Sequence, residues 1–274
     1  MAISAKDVMS LRQRTGVGMM DCKSALVEAE GDMEAAIVLL REKLKGKMDE
    51  RTDRQASEGT IAIAQRDDDF AMIELICETD FSARNDSFVE GSEKIAELAL
   101  ASDDGNVSAN DEMTSVVDGL RITIKENVSL GRAVKFSGRA DRSNVGFYLH
   151  HNRQIGAMVE TEGQPPSALL TGLCQHIAAA VPPLMPAPLA VDESGLPQDQ
   201  LEQQKASFIE EAQTSGKPEN IIEKMVVGKI RKWVDEHTLL GQTYIRELDA
   251  KKPVRAYLPE GAKILRFVRY AIGE

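Results

Sequence analysis

Thr79-Asp80-Phe81-Ser82-Ala83-Arg84-Asn85-Asp86 joins two segments of different period, and its reading decides the fold. The apolar run Phe70 to Cys77 before it reads as a strand, and the run from about Asp86 reads as a helix. An acid and a large aromatic therefore stand side by side at a strand-to-helix corner. Corners hold side chains outward on a fixed backbone and suit contact with a partner. A lone Phe is more often buried, so Phe81 in the core with Asp80 solvating the turn is the simpler reading of this stretch by itself.

Upstream of the corner, Thr60 to Ala64 is strand-like and Asp67-Asp68-Asp69 is a polar turn, which makes a hairpin with Phe70 to Cys77. The three aspartates lack the glycine and further oxygen ligands of a calcium loop, so they read as a solvated turn. Downstream comes a helix with Phe88, Ile95 and Ala99 on one face, a polar loop from Ser102 to Asn110, and a helix carrying Val116, Val117, Leu120 and Ile124.

The second half repeats this order. Val134 to Ser137, Gly146 to His150 and Gln154 to Glu160 read as strands. A helix carrying Leu169, Leu170, Leu173, Cys174 and Ile177 follows, ended by Pro182 and Pro183. Strands then helices, twice, predict an α+β fold of two subdomains, each with a small antiparallel sheet. Beyond a proline-rich loop lie two amphipathic runs. The first carries Leu201, Phe208, Ile209 and Ala212, the second Ile221, Ile222, Met225, Val226 and Trp233. Ser215-Gly216-Lys217-Pro218 between them predicts a projecting helical hairpin, or coiled coil, over about 197–236. Val254 to Leu258 and Ile264 to Tyr270 read as strands returning to the second sheet.

Residues 4–44 read as three short helices. Ser4 and Asp7 have capping spacing, Gly16 and Gly18 break the first helix, and Gly31 ends the second. The run Ala25-Leu26 through Gly31-Asp32-Met33-Glu34-Ala35-Ala36 resembles a ubiquitin-associated domain. The expected layout is this bundle at 1–50, a charged linker at 51–58, and α+β subdomains at 59–140 and 141–274.

A net charge of -11 argues against a general nucleic-acid binder, which needs clustered Lys and Arg. No run is long and apolar enough for a membrane, and the N-terminus lacks the apolar core of a signal peptide, so a cytoplasmic protein is expected. Cys22, Cys77 and Cys174 have neither metal nor redox spacing and read as buried thiols. His150 and His151, read as strand residues, face opposite sides and cannot share a metal. No Gly-rich phosphate loop or Ser/His/Asp grouping stands out, so neither cofactor, metal nor enzymatic chemistry is expected.

Leu11 through Lys23, Thr79-Asp80-Phe81 with Ala83-Arg84-Asn85, Tyr148-Leu149-His150-His151 with Ile155-Gly156, and Ser215-Gly216-Lys217-Pro218 through Met225 with Gly228 form four motifs in order. Together the chain resembles the bacterial elongation factor Ts family, the guanine-nucleotide exchange factors of elongation factor Tu. The resemblance implies that Asp80 and Phe81 insert between two helices of that GTPase and disturb its magnesium site, with Thr79, Ser82, Ala83, Arg84 and Asn85 shaping the contact. It also implies that Arg12, Met19 and Met20 touch the nucleotide-binding domain, and that His150 lies at a further contact. It leaves a homodimer open. Two departures stand out. Lys125 precedes Glu126-Asn127 where the family has glycine, and Gly131-Arg132 replaces its pair of arginines. After Gly273-Glu274 no residues remain for the extra C-terminal module of some members.

Overall fold

Ser4 opens α1 (Ala5–Thr15) with a capping box: its hydroxyl accepts from the Asp7 amide, and the Asp7 carboxylate accepts from the Ser4 amide. Gly16 stops α1 in the left-handed region, at φ 67°. The computed structural model that carries these details describes residues 3–49, 54–138, 143–180, 185–214 and 218–274. After α2 (Met19–Glu28), the Asp32 carboxylate accepts from the Glu34 and Ala35 amides and starts α3 (Met33–Asp49). Three helices this short have little core of their own. Val8, Leu11, Val17, Cys22, Leu26, Ala36 and Leu40 therefore share theirs with Ile122, from a later helix. Gly16 lies so close to that helix that a Cβ there would meet Thr123 at 2.7 Å.

The chain forms two compact units: Met1–Ser137 with Leu149–Gly156 and Tyr270–Glu274, and Gly138–Tyr148 with Ala157–Arg269. In the first, β1 (Glu58–Arg66) and β2 (Asp69–Cys77) form the hairpin, turning at Asp67 with φ 52°. After β2 come α4 (Asp80–Ala83), α5 (Asp86–Ala99), β3 (Gly105–Asn106), α6 (Asp111–Ile124) and β4 (Ser129–Ser137). The sheet order is β1-β2-β4-β3, every pairing antiparallel. Ile73, Leu75 and Cys77 of β2 share one core with Phe88, Ile95 and Ala99 of α5 and Met113, Val117 and Leu120 of α6. β3 lies inside the stretch expected to be loop. Two paired residues carry no period that a sequence can reveal. Glu74, buried in β2, receives Arg132 at both oxygens, at 2.9 and 2.8 Å, and Gly131 leaves room for its carboxylate. Leu149–Gly156 and Tyr270–Glu274 return to this unit: the Arg153 carbonyl accepts from Ile61 and the Gln154 carbonyl from Ile272.

The second unit carries a three-stranded sheet in the order β5 (Ser143–Leu149), β6 (Ile155–Glu162), β7 (Lys263–Ala271), and a helix α7 (Ser167–Ala178). Leu170, Leu173, Cys174 and Ile177 of α7 are buried. Next come α8 (Gln198–Gln213) and α9 (Glu219–His237), which pack on one another, with Ala212 and Val226 buried and Lys229 paired with Glu211. The turn at Ser215 to Lys217 and the pair Pro182-Pro183 lie outside the described residues. Val254–Tyr257 is a 3-10 turn, not the expected strand. Pro253 precedes it, and the Val254 and Arg255 amides donate to Gln242 and Leu240 rather than to a sheet neighbour. Cys22, Cys77 and Cys174 are buried free thiols. Among the described residues no helix is long and apolar enough to cross a membrane.

Candidate functional site

β2 ends at Cys77, and the backbone turns at Thr79, extended at φ -128° and ψ 151°, into the four-residue helix α4. Thr79 is its N-cap; the hydroxyl accepts from the Ser82 amide at 3.3 Å. Ala83 is buried in the first unit's core. Phe81 lies two residues earlier, about 200° round the helix by its 3.6-residue turn, and so points the other way. It is 85% exposed. Asp80 pairs at 3.3 Å with Arg84, the residue that ends this short helix. Asn85 then caps α5 by accepting from the Ser87 amide and hydroxyl, at 3.0 and 2.7 Å. The corner is thus two caps in series, with one small side chain anchoring it and one large ring displayed.

A residue far along the chain fastens this corner. One oxygen of Glu126 accepts from the Glu78 and Thr79 amides, both at 3.1 Å; the other accepts from the Thr79 and Ser82 hydroxyls, both at 2.7 Å. Burial works against ionisation of Glu126, but these four donors outweigh it and hold the carboxyl below the ordinary range. Glu78 in turn accepts from the Asn127 amide at 2.7 Å, and the Asn127 side chain donates to the Arg54 carbonyl at 2.8 Å. Burial raises the thiol of Cys77, beneath the corner, to about 12, and the Glu126 charge adds to the effect. That thiol is an inert core group at neutral pH.

Lys125 caps α6 at φ 64°, the left-handed region, and this turn leads the chain into Glu126. A glycine makes that turn without strain. Neither Glu126 nor Asn127 stands among the residues singled out from the sequence. The departure at Lys125 was the available signal: a position built for glycine, followed by an acid.

The other expected contact residues lie elsewhere in the first unit. Arg12 is exposed on α1, and Met19 and Met20 are exposed at the start of α2. His150 is half-buried just past β5, its amide bonded to the Ile155 carbonyl at 2.9 Å. Neither it nor His151 is a strand residue, as the sequence reading assumed. They begin the β5–β6 turn, and their rings are 4.2 Å apart, centroid to centroid. No group of His, Cys, Asp and Glu able to hold a metal occurs among the described residues.

The fold and corner define a two-unit α+β protein that displays an apolar tip, a design suited to engaging another protein. Comparison with known proteins narrows this. The family model described as elongation factor TS matches residues 78–274. Over its whole length the chain is 42% identical to elongation factor Ts of Thioalkalivibrio sulfidiphilus, covering 93% of that protein. It is 39% identical to elongation factor Ts of Alkalilimnicola ehrlichii, again covering 93%. It is 38% identical to that of Lactiplantibacillus plantarum, with 99% of this chain and 92% of that one aligned. The chain belongs to the elongation factor Ts family, whose members are nucleotide exchange factors for elongation factor Tu in translation elongation.

Proposed function

We propose that this protein binds the GDP form of elongation factor Tu and speeds GDP release by inserting Asp80 and Phe81 beside the magnesium and phosphate site, so that GTP can follow. No bond is made or broken, so the protein is not an enzyme. It acts by binding the nucleotide-free GTPase more tightly than the GDP-bound one. Linkage then weakens GDP by the same factor. Burying the Phe81 ring in a partner cleft contributes roughly 2–3 kcal/mol, about a hundredfold. Further contacts, at Arg12, Met19, Met20 and His150, must add to it. Asp80 acts on helix position or on the water shell of the metal.

The observation that carries this reading is the 85% exposure of Phe81 on a corner whose backbone is held from behind. A buried partner-free ring would leave nothing to insert. The test is release of a fluorescent GDP from elongation factor Tu by wild type and by Phe81→Ala. The variant should be slower by about tenfold to a hundredfold. Equal release rates would overturn the proposal.

A further inference from the structure

We infer that Glu126 is the positioning residue of the Asp80–Phe81 tip: its carboxylate presets the corner in the form that meets the partner. This rests on the exchange reading above. The Thr79 cap and the buried Ala83 hold the four-residue helix at one point each, whereas Glu126 holds several points at once. One turn of helix does not nucleate by itself, and its first amides have no partners within the helix. Phe81 itself supplies no anchor, because its ring faces water. Only the backbone beneath can fix where the ring stands.

Glu126 grips that backbone at three successive levels. It takes the amides of Glu78 and Thr79 at the strand exit, the hydroxyl of the cap Thr79, and the hydroxyl of Ser82 inside α4. The Thr79 hydroxyl has one proton. Giving it to Glu126 leaves its oxygen lone pairs directed at the Ser82 amide, so the carboxylate also sets the polarity of the cap. A carboxylate suits this place because it only accepts, and all four groups around it are donors. The grip is itself latched from the other side by the Asn127 amide on Glu78. Ordering the tip before the encounter removes the entropy cost of ordering it on contact.

Three measurements test this. The first is a double-mutant cycle on GDP release from elongation factor Tu. Glu126→Ala should slow release about tenfold in the wild-type background and less than about twofold in Phe81→Ala, because both changes remove one interaction. Independent losses in the two backgrounds would overturn the inference and make Glu126 a general prop of the fold. The second is rescue. Glu126→Gln keeps one oxygen for the two amides, and the hydroxyls can turn to accept from its NH2, so its release rate should fall between those of wild type and Glu126→Ala. A rate no better than that of the Ala variant would count against it. The third is amide hydrogen exchange in the free protein. Glu126→Ala should lose protection at Glu78, Thr79 and Ser82 while Ile73, in mid-β2, keeps its own. Loss at all four would mean that the fold, not the tip, depends on Glu126. Release unchanged by Glu126→Ala while Phe81→Ala is slow sinks the positioning role alone. Release unchanged by Phe81→Ala sinks the exchange reading and this role together.

Discussion

At the corner after β2, one carboxylate gathers four donors beneath an aromatic that faces water. In the second unit a network of similar size is sealed inside. His176 is fully buried. Its Nδ1 accepts from the Ile245 amide at 3.2 Å, which leaves Nε2 to donate to the Gln242 carbonyl oxygen at 3.0 Å. The Gln242 amide then donates to the Pro186 and Glu236 carbonyls, both at 2.8 Å. Both networks satisfy backbone groups that no helix or sheet ladder reaches. The inner one ties a long irregular segment to α7 and contributes stability. The outer one holds an exposed shape. The outer network is built on an ionised carboxylate and the inner one on neutral groups, and they differ also in whether an apolar side chain is hidden or shown.

That contrast can be broken most sharply at His176. His176→Ala removes a buried ring and strands the Ile245 amide, so urea unfolding should show a loss of about 3 kcal/mol. Phe81→Ala, by contrast, removes a ring that is mostly exposed. Its unfolding free energy should stay within about 0.5 kcal/mol of wild type even though its exchange activity falls. If the two variants lost equal stability, the distinction between hidden and shown would fail.

Acid sharpens the comparison. Burial holds His176 below its ordinary value of 6.5, against the Gln242 hydrogen bond, which favours the charged form. The folded protein keeps this ring neutral where the unfolded chain takes up a proton. Its contribution is therefore complete above the unfolded value and is lost as pH falls from about 6.5 toward the lower folded value, at up to about 1.4 kcal/mol per pH unit. Glu126 has its pKa lowered in the fold, so its contribution is present above the ordinary value of 4.5 and is lost only as pH falls through a still lower folded value. The urea midpoint should thus drop between pH 7 and 5.5 in wild type and drop less in His176→Gln. Identical slopes would remove His176 from the account.

The smallest effect is at Lys125. Lys125→Gly relieves a left-handed side chain, and thermal unfolding should show a gain of about 0.5–1 kcal/mol, with release of GDP unchanged. A loss of stability would mean that the lysine side chain makes contacts worth more than its strain.

Much of this architecture was legible in the residues. The hairpin β1–β2 follows from alternation around three aspartates, α1 from Ser4 and Gly16, and α8 and α9 from their apolar stripes. What escaped has a physical reason in each case. β3 is too short to have a period, and Val254–Tyr257 is shaped by bonds to Gln242 and Leu240, not by its own pattern. At the corner, the pairing of Asp80 with Phe81 stood out through the family motif. The outward direction of the ring followed only from the resemblance, because the stretch by itself places a lone Phe inside. The role of Glu126 left only the indirect mark of Lys125 before it: it lies 48 residues from Glu78, and a clamp closed over that span leaves no local spacing to read.

The bare ring at the corner also bears on how the protein behaves when crowded by its own copies. An aromatic hides about 150–250 Å2 when covered, whereas a lasting contact between proteins needs about 1,200 Å2 or more in total. Two molecules meeting ring to ring alone therefore fall far short. A ring of this size needs a cleft that supplies the rest of the contact area before it can hold fast.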